Sequence, residues 1–187
     1  MSDSTLSKDP TADPAEHEAY FPSPYSLDAY TAPRTDFDGL ATERNAWSGG
    51  RWKVLVLATD ERYLRMGNGT FFSTGNHPVE TLLPLHHVLE AGFGVEIATL
   101  TGNPAKFEWW AYPGEDEAVG NARDTLLAQW RAPKSLAEVV ERELGEDSDY
   151  LAVFVPGGHG ALSGLPFSTD VRDTLEWAMR TDRLVVS

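Results

Sequence analysis

Apolar residues in this chain gather into short unbroken runs, and the stretches between the runs are amphipathic. Lys53-Val-Leu-Val-Leu-Ala-Thr59 shows no alternation of apolar with polar positions, the pattern of a strand covered on both faces. Asn76-His-Pro-Val-Glu80 then opens a helix, with Asn76 or His77 as its cap and Pro78 in the first turn. Leu82, Leu83, Leu85 and Leu89 carry that helix to Gly92. Val95–Thr99 predicts a second strand, Leu151–Val155 a third and Leu184–Val186 a fourth, with a helix over 168–181 before the last. Strands alternating with helices specify an α/β fold with a parallel, doubly wound sheet and right-handed crossovers.

Two stretches depart from this rhythm. Residues 1–50 are rich in Pro, Asp, Ser and Thr and read as an N-terminal arm, partly disordered. Their aromatics (Tyr20, Phe21, Tyr25, Tyr30) are too many for a wholly disordered segment. The part from Tyr20 to Leu40 is therefore expected to lie across a folded surface, with roughly the first dozen residues loose. The core runs over 51–187 and carries a cap insertion at about 103–148. The insertion holds the aromatic stretch Phe107–Tyr112 and helical patterns at 117–130 and 134–144. No internal repeat is visible.

Charge narrows the partners. The formal net charge of the 187 residues is −14. So acidic a surface repels phosphate backbones and anionic lipid, so no nucleic-acid groove and no membrane partner is expected. The chain has no cysteine, which removes disulfides, thiolate metal sites and a cysteine nucleophile from these residues. The polar start at Met1–Pro14 is unlike a secretory signal and no apolar run is long enough to span a bilayer, so a cytoplasmic location is expected.

Candidate chemistry sits beside the strands. In Pro156-Gly-Gly-His-Gly160 the glycines follow a buried strand directly. Their N–H groups can form a cradle for an oxyanion, or the segment is simply a tight turn using positive φ. It is no dinucleotide fingerprint, because the third glycine position falls on Ser163. Glu80, in the first turn of its helix, either completes a cap or serves as an acid–base group aimed at the sheet's carboxyl edge. His86 with Glu90 offers two ligands on one helix face, and two ligands do not make a metal site. The aromatic stretch at 107–112 fits packing under a cap or at an interface better than a base-stacking platform.

Taken together, Phe21–Leu27, Ala58-Thr-Asp-Glu-Arg-Tyr63, Phe72-Ser-Thr-Gly-Asn-His-Pro-Val-Glu-Thr-Leu-Leu-Pro84, Lys106-Phe-Glu-Trp-Trp-Ala111 and Phe154-Val-Pro-Gly-Gly-His-Gly-Ala-Leu162 resemble the glyoxalase III branch of the ThiJ/PfpI superfamily. Bacterial members of that branch are also described as protein deglycases and heat-inducible holding chaperones. The resemblance implies a flavodoxin-like sandwich with a small cap, usually a homodimer. It also implies cofactor-independent conversion of methylglyoxal and water to D-lactate, with protein deglycation as a related activity. A cysteine adds to the aldehyde, a glutamate shuttles protons, and amides at a glycine turn hold the oxyanion. Carried over by motif, the glutamate is Glu80 and the turn is Gly157 and Gly158.

The same resemblance places the nucleophile just beyond Ser187, so the chain reads as truncated, with the C-terminal part of the domain missing. A metal site found in some members aligns with Leu89, Gly94 and Leu126, none of which can ligate, so neither a metal nor a cofactor is expected. Three expectations follow. The full-length protein is an enzyme acting on small 2-oxoaldehydes; or it is a holding chaperone for unfolded or glycated proteins; or the 187-residue chain is an inactive fragment with an exposed sheet edge.

Overall fold

The structure is a computed structural model that describes residues 5–39 and 45–187. Leu40 and Met1–Ser4, parts of the expected arm, lie outside the described residues. The chain contributes β1 (Thr11–Ala12), β2 (Ala19–Phe21), α1 (Pro24–Tyr30), β3 (Lys53–Leu57), β4 (Tyr63–Arg65), β5 (Phe71–Ser73), α2 (Pro78–Glu90) and β6 (Gly94–Thr99). It continues with α3 (Glu117–Thr125), α4 (Leu127–Arg131), β7 (Lys134–Ser135), α5 (Leu136–Arg142), β8 (Tyr150–Phe154), α6 (Thr169–Arg180) and β9 (Leu184–Val186).

The main sheet has five strands in the order β7-β6-β3-β8-β9, all parallel. Its centre explains the unbroken apolar run. Val54 and Val56 of β3 point into a core formed with Leu82, Leu85 and Ile97, while Leu55 and Leu57 point into a second core with Leu136, Val139 and Trp177. Successive side chains of a strand face opposite ways, so a strand sandwiched between two layers must be apolar at every position. Helices α2 and α3 supply the first layer, α5 and α6 the second.

After β3 the chain moves outward to β6 and β7, then returns to the other side of β3 for β8 and β9. The boundary between β3 and β8 is thus the switch point of a doubly wound sheet, where sheets of this kind hold their ligands above the carboxyl ends.

A second sheet, in the order β1-β2-β5-β4, was not foreseen. Residues 11–30 do more than lie across a surface. β2 runs parallel to β5, and β1 pairs antiparallel with β2. Asp13 is buried against Arg62, whose Nη2 lies 3.0 Å from its Oδ2, tying the N-terminal segment to the loop after β3. Strands of two or three residues show no usable period in sequence, which is why β4, β5 and β7 escape it. The helix expected over 117–130 divides at Leu126 into α3 and α4.

Strand β9 forms one edge, and its three residues remain 64%, 46% and 49% exposed. Among the described residues no helix is long and apolar enough to cross a membrane.

Candidate active site

Four loops meet above the switch point. They are the segment after β3 at Ala58–Thr59, the β5–α2 connection at Thr74–His77, the segment Lys106–Glu108 and the turn after β8 at Pro156–Gly160. Asn76 joins the first three. Its side chain accepts from Thr59 N–H at 3.0 Å and donates to the carbonyls of Thr59 and Lys106 at 3.1 and 2.6 Å. His77 N–H donates to Gly157 O at 2.9 Å and Gly160 N–H donates to Gly75 O at 3.0 Å, which locks the glycine turn to the start of α2. Of the two residues offered as the helix cap, His77 takes the position, with Nδ1 accepting from Glu80 N–H at 3.4 Å.

The glycines are required by this closeness. Gly158 has φ +116°, and a Cβ there would stand 2.4 Å from His77 N. A Cβ on Gly157 would stand 1.8 Å from Glu80 Oε2. The Glu80 carboxylate, though solvent-exposed, therefore lies directly over Gly157. Among the described residues, no hydrogen bond is made by the N–H of Gly157 or of Gly158. β9 ends close by, with Val155 N–H donating to Val186 O at 2.9 Å. The structure thus brings Glu80, Gly157 and Gly158 together at the switch point.

Two residues of the same place went unassigned in the sequence reading. Glu108 is fully buried, and its Oε1 accepts from Thr74 Oγ1 at 2.7 Å, from His159 N–H at 3.0 Å and from His159 Nδ1 at 2.8 Å. Burial alone would push this carboxyl up, but the hydrogen bonds from His159 and Thr74 hold it below the ordinary carboxylate range. His159 responds in kind: its bond to Glu108 raises the imidazole above its ordinary value against the pull of burial, and the Glu80 charge adds to the rise. The two shifts agree on an ionised pair. The available signal was a charged residue inside an aromatic run and a histidine inside a glycine turn.

Phe107 meets Trp130 edge-on, and Trp110 donates from Nε1 to Ser73 O at 3.0 Å. His86 and His87 both meet the Phe37 ring edge-on. Among the described residues no group of three or more His, Cys, Asp or Glu could hold a metal ion.

No protein-family model matches the chain. It is 58% identical over 182 residues to the protein/nucleic acid deglycase HchA of Staphylococcus aureus strain MRSA252, a match covering 97% of this chain and 62% of that protein. Sequence and fold are consistent with the ThiJ/PfpI superfamily. A second HchA, from Staphylococcus aureus strain Newman, is 57% identical with the same coverage. A similar fold is found in two solved structures at low identity. Glyoxalase III from Candida albicans superposes with a TM-score of 0.55 at 20% identity, over 72% of this chain and 55% of that one. The rapid encystment protein of Francisella tularensis gives a TM-score of 0.56 at 18% identity, over 72% and 56%. The chain spans 62% of the length of these HchA relatives.

Proposed function

We propose that the full-length protein is a cofactor-independent glyoxalase that converts methylglyoxal and water to D-lactate, and that extends the same chemistry to the glycated adducts that 2-oxoaldehydes form. The observation that carries this reading is the Glu80 carboxylate lying over Gly157, beside two amide N–H groups that make no hydrogen bond among the described residues. A thiolate supplied from sequence after Ser187, as the superfamily resemblance implies, adds to the aldehyde carbon. The amides of Gly157 and Gly158 stabilise the oxyanion that forms. Glu80 then carries a proton from the former aldehyde carbon to the neighbouring ketone carbon, and water releases the product acid.

The name of the HchA relatives supports the extension to glycated protein or nucleic acid. With a net charge of −14, an amino-acid or protein adduct suits this chain better than a polyanion. We place the protein in the cytoplasm as a homodimer, without a metal or other cofactor. The test is D-lactate formation from methylglyoxal without glutathione by the full-length protein. Glu80→Gln is expected to lower kcat on the order of 10²- to 10⁴-fold, as loss of a general acid–base does. An unimpaired variant removes Glu80 from the mechanism.

A second reading, a holding chaperone for unfolded proteins, is favoured by exposed apolar side chains. Phe167 is 85% and Met179 77% exposed, and the open edge β9 adds more apolar area. Suppression of client aggregation by an enzymatically dead Glu80→Gln variant would support it; a folded full-length sample that fails to suppress aggregation would discard it.

A further inference from the structure

The proposed substrate has two carbonyl oxygens, and the turn at Gly157–Gly158 accounts for one. We propose that His159 recognises the second: with Nδ1 fixed by Glu108, its Nε2 donates to the ketone oxygen of the bound 2-oxoaldehyde, and so selects dicarbonyls over simple aldehydes. This rests on the glyoxalase reading above.

The geometry leaves His159 little choice. Its backbone N–H and its Nδ1 both engage one oxygen of Glu108, so main chain and ring are held by the same buried group. Phe72 meets the imidazole edge-on at 5.1 Å between centroids and Trp110 lies at 6.5 Å, which limits ring rotation. Yet the side chain keeps 56% of its surface open, unusual for a residue anchored so firmly. A histidine needed only to neutralise a buried carboxylate has no reason to keep more than half of its side chain open to solvent. It also sits next to Gly158 in the chain and within electrostatic reach of Glu80.

The tautomer follows from the hydrogen-bond inventory. An ionised carboxylate only accepts, so the hydrogen facing Glu108 is on Nδ1. A neutral ring would then offer a lone pair at Nε2 and repel a ketone oxygen, whereas the charged ring offers N–H. The charges that reach the ring are those of Glu108 and Glu80, and β4, the strand packed beside the 159–162 turn, carries Tyr63 and Arg65. Glu108 is a positioning residue, because it acts through His159.

The experiment is steady-state kinetics of the full-length protein with methylglyoxal, across pH. His159→Phe is expected to lower kcat/KM on the order of 10²-fold, the usual effect of losing one preorganised donor. His159→Gln, which keeps a neutral donor, is expected to recover part of that loss. It should also abolish the fall in kcat/KM expected of the wild type as its imidazole loses a proton at rising pH. Because His159→Phe strands a buried carboxylate, the double variant with Glu108→Gln is measured alongside, and loss of activity at near-wild-type thermal stability assigns the effect to the missing donor. Variants within twofold of the wild type at every pH would overturn the inference and leave the glyoxalase reading standing. A wild type that makes no D-lactate would remove that reading, and this inference with it.

Discussion

The Glu80 carboxylate and the Gly157 Cα touch: a methyl group at residue 157 would stand 1.8 Å from Glu80 Oε2. The contact joins the first turn of the helix after the central strand to the turn after its neighbour, two segments on opposite sides of the switch point. A carboxylate so close to an amide turn can reach a substrate whose oxygen the turn holds.

Neighbouring glycines should therefore respond differently to alanine. Gly157→Ala displaces the tip of a flexible, exposed side chain, so stability should fall by less than about 1 kcal/mol while activity falls at least tenfold. Gly158→Ala meets backbone at His77 and Gly75 and must hold φ +116°, so it should cost at least about 1–3 kcal/mol. Thermal unfolding and D-lactate kinetics on the two variants test the contrast. Equal stability losses would contradict it.

The ion pair of Glu108 and His159 sets a pH window. The folded His159 binds its proton more tightly than the unfolded one, so its contribution is complete in acid and is lost as pH rises through its raised pKa. For Glu108 the folded carboxyl loses its proton more readily, so its contribution holds at neutral pH and is lost as pH falls through its lowered pKa. Stability from the pair should peak between the two. Glu108→Gln should flatten both limbs of the melting-temperature profile, and a profile of unchanged shape would show that the pair is not ionised.

Asp13 anchors the N-terminal segment. Its buried carboxylate takes Nη2 of Arg62 at 3.0 Å and Tyr63 OH at 3.4 Å. Asp13→Ala should cost about 2 kcal/mol, a typical value for hydrogen bonds to a charged group. The loss should be local, seen as faster hydrogen exchange at the N–H groups of position 13 and Phe71, which bond to the carbonyls of Ala19 and Glu18, with β3 and β8 unaffected. Uniform acceleration across the main sheet would refute a local anchor.

An isolated polypeptide of these 187 residues should self-associate. Among the described residues strand β9 has one unpaired edge and three exposed apolar side chains, and a groove of about 320 Å³ beside it is lined by Val54, Val88, Leu151, Phe154 and Val186. Light scattering should report oligomers, and Val185→Lys should reduce them. A monodisperse monomer would refute this.

The succession along the chain of β3, β6, β8 and β9 and the helices between them was legible because burial on both faces demands unbroken apolar runs such as those at 53–59 and 151–155, and such runs survive in sequence unaided. The start of α2 was legible for a similarly local reason: Pro78 and a capping side chain are chemistry within one turn. The four-stranded sheet was not, because strands of two or three residues carry no period and β2 meets β5 only when the chain folds back. Nor was the pairing of Glu108 with His159, 51 residues apart. By itself the chain shows a glutamate in an aromatic run and a histidine in a glycine turn. Only the convergence of their loops over one crevice buries the carboxylate, removes the water that would screen it and leaves the imidazole to balance its charge. Periodicity and capping act between neighbours in the chain, whereas desolvation depends on everything that packs around a group.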